Sequence, residues 1–142
     1  MVDTKKLRKM ARFIERNVPA KNFDLSVTYE CKARTPKGIT KALKNHTCGT
    51  VGCVMGYAPI VFPDKVKYDY PYASAAFVEL MSKTSGVAGF NLVAQELFDL
   101  EWIDAHDLFT GDRTKSEQVK HMRDFCTRVE KQEKYKDTWR GS

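Results

Sequence analysis

Residues 45–59 read N-H-T-C-G-T-V-G-C-V-M-G-Y-A-P, and hold two cysteines, one histidine and three glycines without a carboxylate. Four chemistries use such residues. A structural zinc site brings thiolates in pairs spaced so that a short loop aims both at one ion. Cys48 and Cys53 are spaced C-x4-C with no second pair, and on one helix they would point about 140° apart. Metal is therefore not expected, and neither is another cofactor. A nucleophilic thiol at a helix start would be activated by the helix dipole, which makes Cys48 the candidate for a thiol enzyme. Its neighbour His46 lies only two residues away, a spacing that does not face it on a helix. An anion would be drawn to free backbone amides at a helix start, here flanked by Lys41, Lys44 and His46. The segment matches neither the G-x-x-x-x-G-K-[ST] phosphate loop nor G-x-G-x-x-G. If an anion binds here, its ligands are Lys41, Lys44, His46, Thr47, Cys48, Gly49 and Thr50.

The fourth reading is structural. On a helix over 47–58, Gly49, Cys53 and Gly56 share one face, and Val51, Val54, Met55 and Ala58 occupy others. Glycine costs a helix roughly 1 kcal/mol relative to alanine, so close packing of a neighbour is the expected compensation. The sequence thus predicts a buried central helix over 47–58 capped by Thr47.

Other elements must surround it. Leu7, Met10, Ala11 and Ile14 recur at helical spacing and predict a basic amphipathic helix over 3–18. Glu15 interrupts its positive surface. From Phe23 to Cys31 apolar and polar residues alternate strictly, which predicts an extended segment over 23–31. Residues 32–46 read as a basic loop punctuated by Pro36 and Gly38, with one helical turn allowed at K-A-L-K-N-H, residues 41–46. Helices are expected across 71–136. The first is opened by Pro71 and runs to about Lys83. The next is carried by Leu92, Ala94, Leu97 and Phe98. A short third is closed by Gly111. The last is started by a Thr114–Glu117 capping box and buries Val119, Met122, Phe125, Cys126 and Val129. The expected fold is mainly α: a compact single-domain helical bundle with one short extended or β element near the N-terminal third.

Composition agrees with an ordered domain. The 142 residues are 42% hydrophobic and 30% charged, in the ordinary range for a globular chain. No apolar run approaches the ~20 residues of a membrane span. No signal-like segment opens the chain, so a cytoplasmic location and free thiols at Cys31, Cys48, Cys53 and Cys126 are expected. The +6 charge is unevenly spread. Residues 1–22 carry seven basic and two acidic side chains, and 32–46 carry five basic and none acidic. Residues 90–112 carry six carboxylates and no Lys or Arg. Glu96, Asp99, Glu101, Asp104, Asp107 and Asp112 read as a solvated acidic face. A catalytic carboxylate pair would need a cleft that spacing cannot supply. Such polarity points to a polyanionic partner or to contacts between copies. Lys5, Lys9, Arg12, Lys32, Arg34 and Lys37, with Lys41 and Lys44, are the expected basic surface. No zinc-finger, RNP or helix-turn-helix signature accompanies it.

The run Cys48-Gly49-Thr50-Val51-Gly52-Cys53-Val54-Met55-Gly56-Tyr57-Ala58 resembles the C-G-T-x-x-C-x-x-G-x-A signature of an uncharacterised family of small bacteriophage and bacterial proteins. "LVAQELFDLEW" and the Thr-capped last helix are similar too. The resemblance implies a small helical protein associated with phages or mobile elements and carries no catalytic residues. The sequence reading is then a non-enzymatic interaction protein. It would bind a macromolecular partner, a host protein or a nucleic-acid complex, through charged surfaces, with homo-oligomers allowed. A binder of a small nucleotide-like anion is the alternative, and a Cys48 thiol enzyme the third reading.

Overall fold

The computed structural model describes residues 1–25, 29–30, 32–33, 35–46, 50–68, 77–80 and 87–140. The fold is mainly helical, as the apolar periodicity implies, with two small antiparallel sheets among the described residues.

Helix α1 spans Thr4–Asn17. The Asp3 carboxylate caps it by accepting the Lys6 amide at 3.1 Å, and Leu7, Met10, Ala11 and Ile14 are buried. These four recur every third or fourth residue, so one stripe faces the core. Its main partner is the last helix, α6, at Lys115–Arg140. The Thr114–Glu117 box opens α6 as expected. The Thr114 amide donates to Glu117 Oε1 at 2.9 Å, and the Glu117 amide donates to Thr114 Oγ1 at 3.3 Å. Val119, Met122, Phe125 and Cys126 are buried along its inner face.

Three stretches differ from the sequence reading. First, the basic loop over 32–46 contains helix α2, Pro36–Lys44. Thr35 Oγ1 accepts the Gly38 amide at 3.0 Å, and Pro36 sits in the first turn. Proline there starts a helix, because its missing N–H would have had no partner in any case. Ile39 and Leu43, four apart, bury the inner face.

Second, the helix expected over 47–58 is absent from the described part of that segment. Val51–Gly52 is a strand, β2, antiparallel to β1 at Tyr29–Glu30, with Tyr29 opposite Gly52 and Glu30 opposite Val51. Phe23 bridges the same Gly52, and the Asp24 amide donates to its carbonyl at 3.1 Å. A 3-10 turn at Met55–Tyr57 and a short helix α3, Ala58–Val61, follow. Cys53 precedes the turn that holds Gly56, so these two share no helix face, and Gly49 lies outside the described residues. The burial itself is real, since every residue from Gly52 to Pro59 is buried. The extended element over 23–31 is present at Phe23 and at β1, with a turn at Leu25 between them.

Third, the helix expected from Pro71 to Lys83 is replaced where described by strand β4, Phe77–Leu80. It lies between β3, Val66–Tyr68, and β5, Val87–Gly89, in an antiparallel β3-β4-β5 sheet. Tyr68 pairs with Val78, and Phe77 with Gly89.

Helix α4, Phe90–Phe98, buries Val93, Ala94, Leu97 and Phe98; Leu92, expected inside, is 44% exposed. Helix α5, Trp102–Phe109, buries Ala105, Leu108 and Phe109. Arg113 closes it, donating to the carbonyls of Asp107, Leu108 and Thr110 at 2.7–3.0 Å. Phe98 bridges the aromatic core, with ring centroids 6.0 Å from Phe62 and 5.7 Å from Phe109.

Candidate polyanion interface

Lys5, Lys9, Arg12 and Arg16 lie four, three and four residues apart on α1 and are all exposed. At 100° per residue they form one outward stripe opposite Leu7, Met10, Ala11 and Ile14. Of the other charges of α1, Lys6 turns to Asp3 and the Leu97 carbonyl, and Arg8 and Glu15 are consumed by α6. Arg8 meets Glu130 at 2.6 Å, and Arg123 holds both oxygens of Glu15, at 2.7 and 3.0 Å. The hydrogen bond from Arg123 holds the Glu15 carboxyl below the usual carboxylate range, and the bond from Arg8 does the same to Glu130. Glu15 therefore does not interrupt the positive stripe. Lys5, Arg12 and Arg16 have no carboxylate within ion-pair distance among the described residues, and nor has Lys9. Lys9 Nζ sits 5.3 Å from the ring centre of Phe62, at the end of α3.

A second stripe stands on α2. Lys37, Lys41 and Lys44 are exposed at the same four-then-three spacing, with Ile39 and Leu43 beneath. Lys32 is exposed just before the helix. Helix α3 touches both α1 and α2, so the stripes flank one short element. Between Lys32–Ala33 and α2 runs a cleft of about 260 Å³, lined also by Gly38, Lys41, Ala42, Asn45 and Thr50. A Cβ on Gly38 would lie 3.1 Å from the Ala33 Cβ, so glycine lets that wall approach.

The expected anion site divides accordingly. Lys41 and Thr50 meet at the cleft, with Lys32 from the basic surface. Lys44 lies on the outer face of α2. His46 takes a left-handed φ of 53°, and its buried Nδ1 has no hydrogen-bond partner among the described residues. Thr47, Cys48, Gly49 and Arg34 lie outside the described residues. From Val51 on, strand β2 stands where the expected helix would run. Cys53 is buried and free, and burial pushes its thiol up to about 11, as it does for Cys126. Neither is a nucleophile at neutral pH. Among the described residues no group of three or more His, Cys, Asp or Glu could hold a metal ion, and no helix is long and apolar enough to cross a membrane.

The opposite charge gathers at the α4–α5 corner. Asp99 takes a left-handed φ of 55° and accepts the Met1 ammonium at 2.9 Å, which raises that amine's pKa. Asp99, Glu101, Asp104 and Glu133 line a cleft of about 480 Å³ between the N-terminus, α5 and α6. Asp107 pairs with His121 at 3.2 Å. Sequence reasoning missed Arg16 as the fourth member of the α1 stripe; its place four residues after Arg12 was the available signal.

No family model, no curated protein and no solved structure matches the chain.

Proposed function

We propose that the protein is a non-enzymatic interaction protein that binds a polyanionic macromolecule, a nucleic acid, along the stripes of α1 and α2. The observation that carries this reading is the set of seven exposed cations, Lys5, Lys9, Arg12, Arg16, Lys37, Lys41 and Lys44, at one repeated helical spacing. None pairs with a carboxylate among the described residues. Cations so placed meet a row of phosphates without sequence readout, and release counterions on binding. The resemblance to small phage and bacterial proteins suits such a role in the cytoplasm of a host cell. Binding of labelled single- and double-stranded oligonucleotides, followed by anisotropy, tests it. The wild type binds both, and Lys5→Glu/Lys9→Glu/Arg12→Glu loses most affinity while keeping its fold. Absence of binding at low salt refutes it and leaves an acidic host protein as the partner to seek.

The 260 Å³ cleft favours a second reading, a small anionic, nucleotide-like ligand held by Lys32 and Lys41 over Ala33, Gly38 and Ala42. A thermal shift with mononucleotides, lost in Lys41→Ala, would support it; a flat response at millimolar ligand refutes it.

A further inference from the structure

The first turn of α5 exposes two adjacent large apolar side chains, Trp102 at 58% and Ile103 at 65%. Single exposed apolar residues are ordinary, but a neighbouring Trp–Ile pair ringed by charge has the make-up of an interface anchor. The imidazole of His106 stacks on the indole at 5.0 Å and 9°, which fixes the ring as a plate. Glu101 and Asp104 flank the pair, and neither has an ion-pair partner among the described residues. An open indole beside unpaired carboxylates is the chemistry that receives Lys and Arg: the ring takes the cation and the aliphatic stem, and the carboxylates neutralise the head.

The same chain displays the complement. Lys5, Lys9, Arg12 and Arg16 form an exposed cationic row with no carboxylate partner among the described residues. The row begins at the corner where the acidic face begins. The Asp3 amide donates to the Phe98 carbonyl at 2.9 Å, Lys6 Nζ reaches the Leu97 carbonyl at 3.4 Å, and the Met1 ammonium holds Asp99. Donor and acceptor faces of one copy are therefore neighbours, and two copies can exchange both contacts about a two-fold axis. A net charge of +6 opposes indiscriminate association, so a dimer requires faces of matched charge.

We infer that the Trp102–Ile103 face of α5, with Glu101 and Asp104, docks the Lys5–Lys9–Arg12–Arg16 stripe of a second copy of this chain, reciprocally. The dimer covers the cations that would meet a polyanion, so self-association and polyanion binding compete.

Sedimentation velocity of the full chain tests this. The wild type shows a concentration-dependent dimer at low salt that dissociates as salt is raised or heparin is added. Glu101→Lys/Asp104→Lys and Lys9→Glu/Arg12→Glu are each monomeric. Their mixture forms a one-to-one dimer, because each reversed face then meets its opposite. Trp102→Ala, which changes an exposed side chain, retains the helical circular dichroism spectrum and weakens the dimer at least ten-fold. The acid-reversed pair keeps oligonucleotide affinity at or above wild type, so this inference is read separately from the nucleic-acid proposal. A wild type that stays monomeric at every concentration at low salt overturns the inference, leaving the face to a different basic partner. So does a dimer whose two reversed variants fail to rescue each other.

Discussion

Removing one oxygen from Tyr57 should cost this protein about 2 kcal/mol. The ring is fully buried, and its hydroxyl donates to the Asn22 carbonyl at 2.7 Å. Asn22 Nδ2 in turn donates to the Thr50 carbonyl at 2.8 Å, so two hydrogen bonds pin the 3-10 turn at Ala20–Asn22 to the segment around β2. Burial raises the Tyr57 phenol's pKa, as expected of a hydroxyl held away from water. Tyr57→Phe keeps the ring and its tilted packing on Phe13, 6.2 Å between centroids. It removes only the donor of this fully buried bond, at a cost of about 1–3 kcal/mol. For a domain of this size roughly 3 °C per kcal/mol applies, so Tm should fall by about 6 °C. Urea unfolding followed by far-UV circular dichroism measures it, as a lower midpoint at unchanged m-value. A loss below about 0.5 kcal/mol would refute the claim that the buried hydroxyl–carbonyl bond anchors this part of the core.

Three further outcomes follow from the same geometry. Thr35→Ala removes the α2 cap and should destabilise by about 1 kcal/mol in the same urea assay. Partner hydrogen bonds lower the carboxyl pKa values of Glu15, Glu117 and Glu130 from the ordinary 4.5. Their folded values lie below the unfolded one, so the stability they lend is present above that value and fades as pH falls through the folded pKa values; Arg123→Ala should flatten the decline seen in acid unfolding midpoints. Cys53 and Cys126, with thiols pushed to about 11, should resist a disulfide reagent at pH 8 in the native state and react on unfolding, as mass spectrometry of the labelled chain would show.

The ends of the chain were legible because their signals are local. Leu7, Met10, Ala11 and Ile14 set the period of α1, and Thr114 with Glu117 marked the start of α6. The middle was not, for two reasons. Pro36 and Gly38 look like loop punctuation, yet a proline just after a threonine cap opens a helix. Val51–Gly52 became a strand because its partners, Tyr29–Glu30 and Phe23, lie more than twenty residues earlier. Non-local pairing of that kind leaves no periodic trace in two residues, and it overrode the helical spacing of Cys53 and Gly56. The basic surface was legible as composition. That Lys5, Lys9, Arg12 and Arg16 align, while Glu15 turns to Arg123, follows from where α6 packs and needed the fold.

The central claim is that the aligned, unpaired cations of α1 and α2 engage phosphates. The salt dependence of oligonucleotide affinity tests it most directly. On duplex DNA, log K should fall linearly with log salt, with a slope of about −0.9 per phosphate engaged. Lys5→Glu/Lys9→Glu/Arg12→Glu should make that slope shallower by roughly 2 to 3, one step for each cation removed from a phosphate. An unchanged slope in the variant, or an affinity that does not respond to salt, would contradict the account.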